Sequence, residues 1–298
     1  MAIVRFLSFN IWFSEYEMEK RMQAIGDIIQ ATEPHVVALQ EMTETHWQVC
    51  QEHPAFRRYF WSPPGRGYYT MLGSIRPFLT QPQRIPFRAS NMKRDILMAR
   101  VAVGNSDEEA ASLPPLVFGT SHLESLDFYH ERRLQAQESL RALESLAEAN
   151  DAGGYVKDLV FCGDTNINEK VDGRFRLPSS WQDAWLEVHR GREPEDLGFT
   201  FDALRNQMVW RMDGWARNNR AQLRYDRFWV RLSRYMVTQM ELLGTETIQG
   251  DDPAQETPVW PSDHFGVLMT LALAEENCPR KTGTLQEELA SFPLPCSG

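Results

Sequence analysis

Short runs of apolar and β-branched residues recur along most of the chain, and they constrain its fold more than any other feature of the sequence. Glycine, proline, asparagine or aspartate interrupts these runs, which is typical of strands that end in turns. Besides the runs that start near residues 3 and 36, strand-like segments lie near 57–75, 83–103, 114–122, 156–163, 222–231 and 264–273. So many strands must bury their apolar faces against one another or against helices. The sequence therefore predicts packed β-sheets.

Two segments show the periodicity of amphipathic helices. Their apolar positions are Met18, Met22, Ile25 and Ile29 in the first and Ala136, Leu140, Leu143 and Ala147 in the second. A few helices among many strands favour an α/β fold of two packed, mostly antiparallel β-sheets flanked by helices. We expect residues 1–274 to form one domain and residues 275–298 to be a peripheral C-terminal extension.

Polar residues stand where the strand-like runs end. The run LVFCG (159–163) is followed by Asp164 and Asn166, which would share one face if the chain stayed extended. The other polar strand ends are Asn10, Glu41 and His122 after apolar runs, and Asp263 with His264 just before one. A metal-dependent phosphoesterase needs carboxylates for Mg²⁺ and for a water proton, and amide or imidazole donors for a phosphoryl oxygen. The polar residues at these strand ends therefore predict the site of a metal-dependent phosphoesterase.

Each of these residues has a structural alternative when it is taken alone. Glu41 could begin a helix, because acids favour the first helical turn. Asp164 and Asn166 could close an Asx turn, in which a side chain binds its own backbone. Asn10 could be a turn residue, and each histidine could be a satisfied core residue. A catalytic site accounts for all of the positions together, so we expect these side chains to meet.

Four motifs in chain order, SFN, LQE, GDTN and SDH, resemble the signatures of the endonuclease/exonuclease/phosphatase superfamily, the Mg²⁺-dependent group that includes DNase I-like nucleases. Further segments resemble its tyrosyl-DNA phosphodiesterase branch: GYYT (67–70), TSHLES (120–125), GFTFD (198–202) and LRYDRFWVR (223–231). The resemblance covers about residues 3–273 and implies a four-layer αββα sandwich. It also implies a Mg²⁺-dependent phosphodiesterase, with Mn²⁺ as an alternative cation, acting on a single-stranded 5′ DNA end or a phosphotyrosyl-DNA adduct.

Residue roles follow from this chemistry together with the resemblance. Glu41 is the expected Mg²⁺ ligand, and Asp263 is expected to bind the metal directly or through water. Asp164, held by Asn166, is expected to orient and deprotonate the water that attacks in line with the leaving oxygen.

The remaining residues are expected to stabilise and bind the substrate. Asn10, His122 and His264 are expected to donate hydrogen bonds to the phosphoryl oxygens, and Asp226 is expected to orient His264. The expected substrate-binding residues are Tyr68, Ser125, Phe201, Arg224 and Arg227.

A net charge of −10 argues at first against nucleic acid, because phosphate binding depends on basic surface. Residues 203–234 nevertheless carry eight arginines and two acids. Such a segment can mark a phosphate-facing groove, or its arginines can pair with acids elsewhere. Phe201, Trp210 and Trp215 in or near it could stack on the bases of a single strand or belong to the core.

Three positions depart from the family pattern: Trp12 replaces an acid, Asn168 an arginine and Phe201 a tryptophan. Fine specificity therefore stays open. The alternatives are another nuclease or small-molecule phosphodiesterase of the superfamily, and a non-enzymatic binding protein on the same scaffold. Four cysteines without metal-like spacing, a strand that begins by Ile3 and leaves no room for a signal peptide, and no apolar run of ~18 residues favour an intracellular protein without a membrane partner, nuclear if it repairs DNA. The sequence does not determine the oligomeric state, and we expect a monomer.

Overall fold

The computed structural model describes residues 2–149, 155–191, 197–212, 218, 220–248 and 258–274, so that Trp215 and the extension 275–298 lie outside it. The strands are β1 (Ile3–Asn10), β2 (Val36–Met42), β3 (Phe60–Trp61), β4 (Tyr69–Ser74), β5 (Gln83–Pro86), β6 (Asp95–Val101), β7 (Leu116–His122), β8 (Asp158–Asp164), β9 (Gln182–Asp183), β10 (Phe201–Asp202), β11 (Gln222–Leu223), β12 (Asp226–Arg231), β13 (Tyr235–Leu243) and β14 (Gly266–Leu273). The helices are α1 (Met18–Thr32), α2 (Glu44–Glu52), α3 (Pro54–Arg57), α4 (Asp107–Ser112), α5 (Tyr129–Glu148), α6 (Glu169–Asp172), α7 (Ala184–His189) and α8 (Val209–Met212). The two amphipathic segments form α1 and α5. None of the described helices combines the length and the apolar content needed to cross a membrane.

Two six-stranded sheets and one two-stranded sheet contain these strands. The first large sheet has the order β13-β14-β1-β2-β4-β3, the second has the order β5-β6-β7-β8-β12-β9, and β10 pairs with β11. Strands β1 and β2 are parallel, as are β7 and β8, and the other pairs are antiparallel. Parallel neighbours need a long crossover connection, and α1 and α5 lie within the two crossovers. The prediction of mostly antiparallel sheets is confirmed.

The main core lies between the two large sheets. Phe6 of β1 and Phe118 of β7 stack there with ring centroids 5.4 Å apart. Because successive strand residues point to opposite faces, Leu7 packs instead in a second core with α1. On the other side, Leu140 of α5 packs in a third core with Phe161 of β8. The order helix, sheet, sheet, helix confirms the αββα sandwich.

The carboxyl ends of the two parallel strand pairs meet at one edge of the sandwich. Asn10 at the end of β1 lies opposite Gln40 of β2, one residue before Glu41. In the second sheet, His122 lies opposite Asp164 in the parallel pair. The topology therefore collects polar strand ends from both sheets.

Two features hold the sheets in place behind this edge. The Gln40 amide donates to Ser8 Oγ at 3.2 Å and to Thr120 Oγ1 at 3.0 Å, which joins the first sheet to the second. Gly163 has a φ of +135°, and a Cβ at this position would lie 2.0 Å from the carbonyl oxygen of Ser121. Glycine is therefore required directly before the Asp of GDTN.

Strand β13 differs from the sequence prediction, which places no strand over Tyr235–Leu243. It is an edge strand that pairs only with β14 among the described strands. Most of its residues are half-buried or exposed, so the segment lacks the continuous apolar run of a central strand.

Candidate active site

Six of the predicted residues meet in the edge region where the parallel strands end. All are buried, and they are Asn10, Glu41, His122, Asp164, Asp226 and His264. The Nδ2 group of Asn10 donates to Glu41 Oε1 at 3.2 Å and to Asp164 Oδ2 at 2.9 Å. Its Oδ1 accepts from the Trp12 backbone N–H at 3.0 Å, which fixes the orientation of the amide. One asparagine thus joins an acid of the first sheet to an acid of the second.

Glu41 has a φ of 65°, in the left-handed region that residues other than glycine seldom adopt. It lies where the register between β2 and β4 shifts, between Leu39 and Met42. Its Oε2 accepts from the Phe13 backbone N–H at 2.9 Å. A helix does not begin here, because α2 starts at Glu44. The bulge turns the Glu41 carboxylate into the site, and such strained backbone is common at functional positions.

His122 is the neutral imidazole of the site. Burial lowers its pKa well below 6.5, and the charges of Arg94 and His264 lower it further. Its Nδ1 lies 3.3 Å from the Tyr68 hydroxyl, and its Nε2 lies 3.4 Å from Asp164 Oδ2. With the hydroxyl donating to Nδ1, the ring carries its proton on Nε2, facing the carboxylate.

His264 has the opposite charge state. Burial by itself lowers the pKa of His264, but Asp226, Asp164 and Asp263 together raise it well above 6.5. Its Nδ1 lies 2.7 Å from Asp226 Oδ2, a short charge-assisted hydrogen bond. Its Nε2 lies 3.9 Å from Asp164 Oδ2. The structure thus contains the expected pair, and it holds a cationic imidazole with Nε2 toward the site.

Asp164 and Asn166 are related by an Asx turn rather than by an extended chain. Asn166 has a φ of 50°, and its backbone N–H donates to Asp164 Oδ1 at 2.9 Å. The Asn166 side chain donates to the Leu123 carbonyl at 3.2 Å. The expected common face is therefore wrong, because β8 ends at Asp164. Asn168 caps α6 by accepting from the Lys170 backbone N–H at 3.1 Å.

Burial disfavours the charged forms of the carboxylates at this edge. Burial raises the pKa of Glu41, and it raises the pKa of Asp164 to about 6. One ligand atom each from Glu41, His122 and Asp164 lies within 4.8 Å of the others. Carboxylate oxygens in such a group fit a hard divalent cation, which would also offset the buried charge. A second group of the same kind shares Asp164 and adds the His264–Asp226 pair.

Asp263 lies outside both of these groups. Its Oδ1 accepts from Ser262 Oγ at 3.2 Å, and burial raises its pKa to about 6. The buried Arg21 opposes that rise, and its guanidinium lies 4.8 Å from the centre of the Trp12 ring. Arg21 also donates to backbone carbonyls of residues 11–16. The loop that carries Trp12, where the family pattern has an acid, is thus fixed by a buried cation.

Aromatic side chains lie at the mouth of the site. The Phe201 ring centroid is 5.2 Å from that of His264, and Tyr225 lies 5.5 Å from Phe201. Both aromatic residues are half-buried, so part of their surface is open to a substrate. Trp210 packs in a small apolar cluster and donates its indole N–H to the Ala203 carbonyl at 2.9 Å, which is the core alternative for that residue.

The two arginines expected to bind substrate have partners in the protein. Arg224 makes two bonds to the Asp183 carboxylate, at 2.8 and 2.9 Å. Arg227 lies 3.2 Å from Glu169 and 3.6 Å from Asp183. Both guanidinium groups are largely buried, and two further arginines of the segment also bind acids. These pairs link Arg224 to β9 and Arg227 of β12 to both β9 and α6, so the two guanidinium groups do not form a free phosphate-binding surface.

The sequence analysis missed a cationic arm beside Tyr68. The guanidinium of Arg94 lies 4.6 Å from the centre of the Tyr68 ring, and Lys93 and Arg94 line a small cavity with residues of the site. Ser125, an expected substrate contact, borders this arm through its Oγ, which lies 3.1 Å from Met92 Sδ. The sequence signal that could have identified the arm is the basic pair Lys93 and Arg94, which directly precedes strand β6.

Comparison with known proteins gives one family. A model of the Endonuclease/Exonuclease/phosphatase family matches residues 7–264. The 5′-tyrosyl-DNA phosphodiesterase of Caenorhabditis briggsae is 23% identical over 255 residues, which are 85% of this chain and 64% of that protein. This chain therefore spans less than two thirds of the length of that relative.

Solved structures agree on the fold. D. rerio TDP2 complexed with single strand DNA product has a TM-score of 0.69 at 22% identity, over 91% of this chain and 100% of that one. A humanized D. rerio TDP2 with 14 mutations has a TM-score of 0.70 at 23% identity, over 91% of this chain and 99% of that one. At such identities the likeness establishes the fold alone.

Proposed function

The chain belongs to the endonuclease/exonuclease/phosphatase family, and on that premise we propose that it is a divalent-cation-dependent phosphodiesterase of the 5′-tyrosyl-DNA phosphodiesterase kind. The observation that carries the proposal is the Asn10 amide, which joins Glu41 to Asp164 between a neutral His122 and a cationic His264. A purely structural cluster has no need for two imidazoles of opposite charge state around shared buried carboxylates.

Glu41 would hold the cation, since its carboxylate belongs to the first donor group. When bound, a divalent cation neutralises charge on a phosphoryl oxygen and lowers the pKa of a water. Asp164 would accept the proton of the attacking water, because a pKa of about 6 lies near neutrality, where a general base is effective. Each oxygen of Asp164 already accepts a hydrogen bond, Oδ1 from the Asn166 N–H and Oδ2 from Asn10, so the proton would go to a remaining lone pair of this carboxylate.

His264 would donate from Nε2 to the phosphoryl oxygen on which charge grows, and Asp226 would hold the ring through Nδ1. Asn10 would act as a second donor. Its amide nitrogen has two N–H groups, and both bind carboxylates in this state. Donation by Asn10 to a substrate therefore replaces one of these bonds.

The substrate class follows from the groups that surround this centre. Tyr68 with Arg94 lies beside His122, and Phe201 with Tyr225 lies beside His264. Aromatic faces of this kind stack on bases or on a tyrosyl ring, and a cation beside them suits the phosphate. The name of the C. briggsae relative and the single-stranded product bound to D. rerio TDP2 support a 5′-phosphotyrosyl single strand as substrate.

The test is turnover with Mg²⁺ of a 5′-phosphotyrosyl oligonucleotide, an unmodified oligonucleotide and a small aryl phosphodiester. We expect release of tyrosine to be preferred, EDTA to abolish it, and Phe201→Ala to weaken oligonucleotide binding by roughly 1–3 kcal/mol while sparing the small diester. Internal cleavage of the unmodified strand at the same rate would identify a general nuclease. Absence of turnover with all three substrates would leave a binding protein on this scaffold.

The second candidate is a hydrolase of small phosphodiesters. Two observations favour it. The net charge is −10, and Arg224 and Arg227 are paired with acids, which leaves fewer cations for the phosphates of an oligonucleotide. Salt separates the candidates, because binding of a single strand weakens with a log–log slope of ~0.7 per phosphate contact. A small diester makes one such contact, so its KM should depend weakly on salt.

A further inference from the structure

Glu124 is a buried carboxylate that the reaction proposed above does not use. Its Oε1 accepts from the backbone N–H groups of Asn91 and Met92, at 2.8 and 2.7 Å. Its Oε2 accepts from Ser90 Oγ at 2.8 Å and from Gln135 Nε2 at 2.8 Å. Three of the four donors belong to the loop between β5 and β6. A single charged side chain therefore organises this loop.

Helix α5 fixes Glu124 from the other side. Gln135 Oε1 accepts from the Glu124 backbone N–H at 2.8 Å, and Gln135 Nε2 also donates to the Ala89 carbonyl at 2.8 Å. Arg132 donates to the Glu124 carbonyl at 2.8 Å. The loop is thus anchored to a long helix of the scaffold through one acid and one amide.

The same loop ends in the cationic arm of the site. Ser90 Oγ, which binds Glu124, also accepts from the Arg94 backbone N–H at 2.7 Å. The Arg94 guanidinium lies over the Tyr68 ring at 4.6 Å, and the Tyr68 hydroxyl lies 3.3 Å from His122 Nδ1. A continuous set of contacts therefore runs from Glu124 to an imidazole of the active site.

We infer that Glu124 is a positioning residue: through Ser90 it sets Arg94 against Tyr68, where the arm meets the phosphate and the ring of the substrate. All four partners of the carboxylate are donors, and a carboxylate, which has only acceptors, satisfies them all. Glutamine would turn an N–H toward at least one of these donors. The inference rests on the proposed function, because that function gives the arm its substrate.

A mutant cycle on the whole chain of 298 residues tests the inference. Glu124→Gln and Arg94→Gln should each lower kcat/KM for the phosphotyrosyl oligonucleotide by up to about 10²-fold, the scale of a misplaced binding group. The double variant should be no worse than Arg94→Gln. Ser90→Ala should give a smaller loss that also disappears in the Arg94→Gln background. The matched control is Glu138→Gln, which alters a carboxylate of α5 that accepts from the Arg88 backbone N–H at 3.3 Å. We expect this variant to leave kcat/KM unchanged.

The same mutant cycle can be measured without catalysis. The measured quantity is then the affinity for a 5′-phosphorylated single-stranded oligonucleotide, obtained by fluorescence anisotropy. Losses at Glu124 and Arg94 that multiply in both measurements would mean that Glu124 acts through general stability, and they would overturn the inference. An Arg94→Gln variant that behaves like the wild type would overturn it as well. If Glu124→Gln does not fold, Ser90→Ala decides by the same criterion. A wild-type protein without turnover would contradict the proposed function, and the binding cycle would still decide the role of Glu124.

Discussion

Replacing Asp164 by asparagine should stabilise the metal-free protein while removing its activity. Burial raises the pKa of Asp164 to about 6, although the nearby His264 opposes the rise. Against an ordinary value of 3.8, the difference corresponds to about 3 kcal/mol of unfavourable free energy for the charged form. Asparagine removes this charge but turns an N–H toward the Asn10 amide, now 2.9 Å away, which costs about 1 kcal/mol. The net gain of about 2 kcal/mol should raise the melting temperature by roughly 4–8 °C in a domain of this size.

The assay is thermal unfolding in EDTA as a function of pH. A carboxyl group whose pKa is higher in the folded state destabilises that state fully above the folded pKa, about 6, and not at all below the unfolded pKa, 3.8. The advantage of Asp164→Asn should therefore be complete at pH 7.5 and shrink steadily as the pH falls through 6 toward 4. With Mg²⁺ present, kcat should be ~10²–10⁴-fold lower, because the general base is lost.

Asp158 provides the control. It is also fully buried, but its oxygens accept from the backbone N–H groups of Ser233 and Arg234 at 2.6 and 2.8 Å and from the Arg234 guanidinium at 3.0 Å. Asp158→Asn should therefore destabilise the protein. If Asp164→Asn is also destabilising in EDTA at pH 7.5, or if its effect does not depend on pH, Asp164 is a satisfied turn residue and the argument from the burial of its charge is refuted.

Three further predictions concern single interactions of the site. Glu41→Gln should abolish turnover at low Mg²⁺ together with the Mg²⁺-dependent rise in melting temperature, and undiminished activity in EDTA would contradict the metal assignment. Asp226→Asn and His264→Gln together should reduce kcat/KM little more than either alone, since both act on one oxygen, whereas strictly additive losses would separate their roles. Asp226→Asn should also move the alkaline limb of the pH–rate profile to lower pH, because that carboxylate is the main group raising the pKa of His264, and an unmoved limb would show that the proton of His264 is not needed. Arg224→Ala should lower the unfolding free energy by about 1.5–3 kcal/mol, since it removes both bonds of Arg224 to Asp183 and leaves that carboxylate only the more distant Arg227. An unchanged melting temperature with weaker oligonucleotide binding would assign Arg224 to the substrate instead.

Much of the candidate site could be predicted from the sequence, because each polar residue interrupts or ends an apolar run. Asn10, Glu41, His122 and Asp164 could be placed at strand ends without knowing which strands are neighbours. The recurring strand-like runs with only a few helices also predicted two packed sheets flanked by helices, and the family resemblance implied the four-layer sandwich. Strand β13 was missed because an edge strand buries little, so it leaves no continuous apolar run.

The detailed geometry of the site could not be predicted from the sequence. An extended chain would place Asn166 on the same face as Asp164, but a φ of 50° turns it away, and only the packed loop reveals this. The basic segment predicted that Arg224 binds a phosphate, but in the fold Arg224 binds Asp183. Arg94 lies in a segment with no motif, and it reaches the site because Glu124 anchors its loop from a distant part of the sequence.

The amino-acid sequence determined which chemical groups stand at the ends of strands, because local periodicity and residue identity are properties of short segments. The tertiary structure alone decided which of these groups meet and what charge they carry. The bond between Asn10 and Asp164 joins residues 154 positions apart, across two different sheets. Burial and neighbouring carboxylates then leave His122 neutral and His264 cationic. Two identical side chains acquire opposite roles because solvation and Coulomb energy depend on the packed surroundings, which no local pattern of sequence contains.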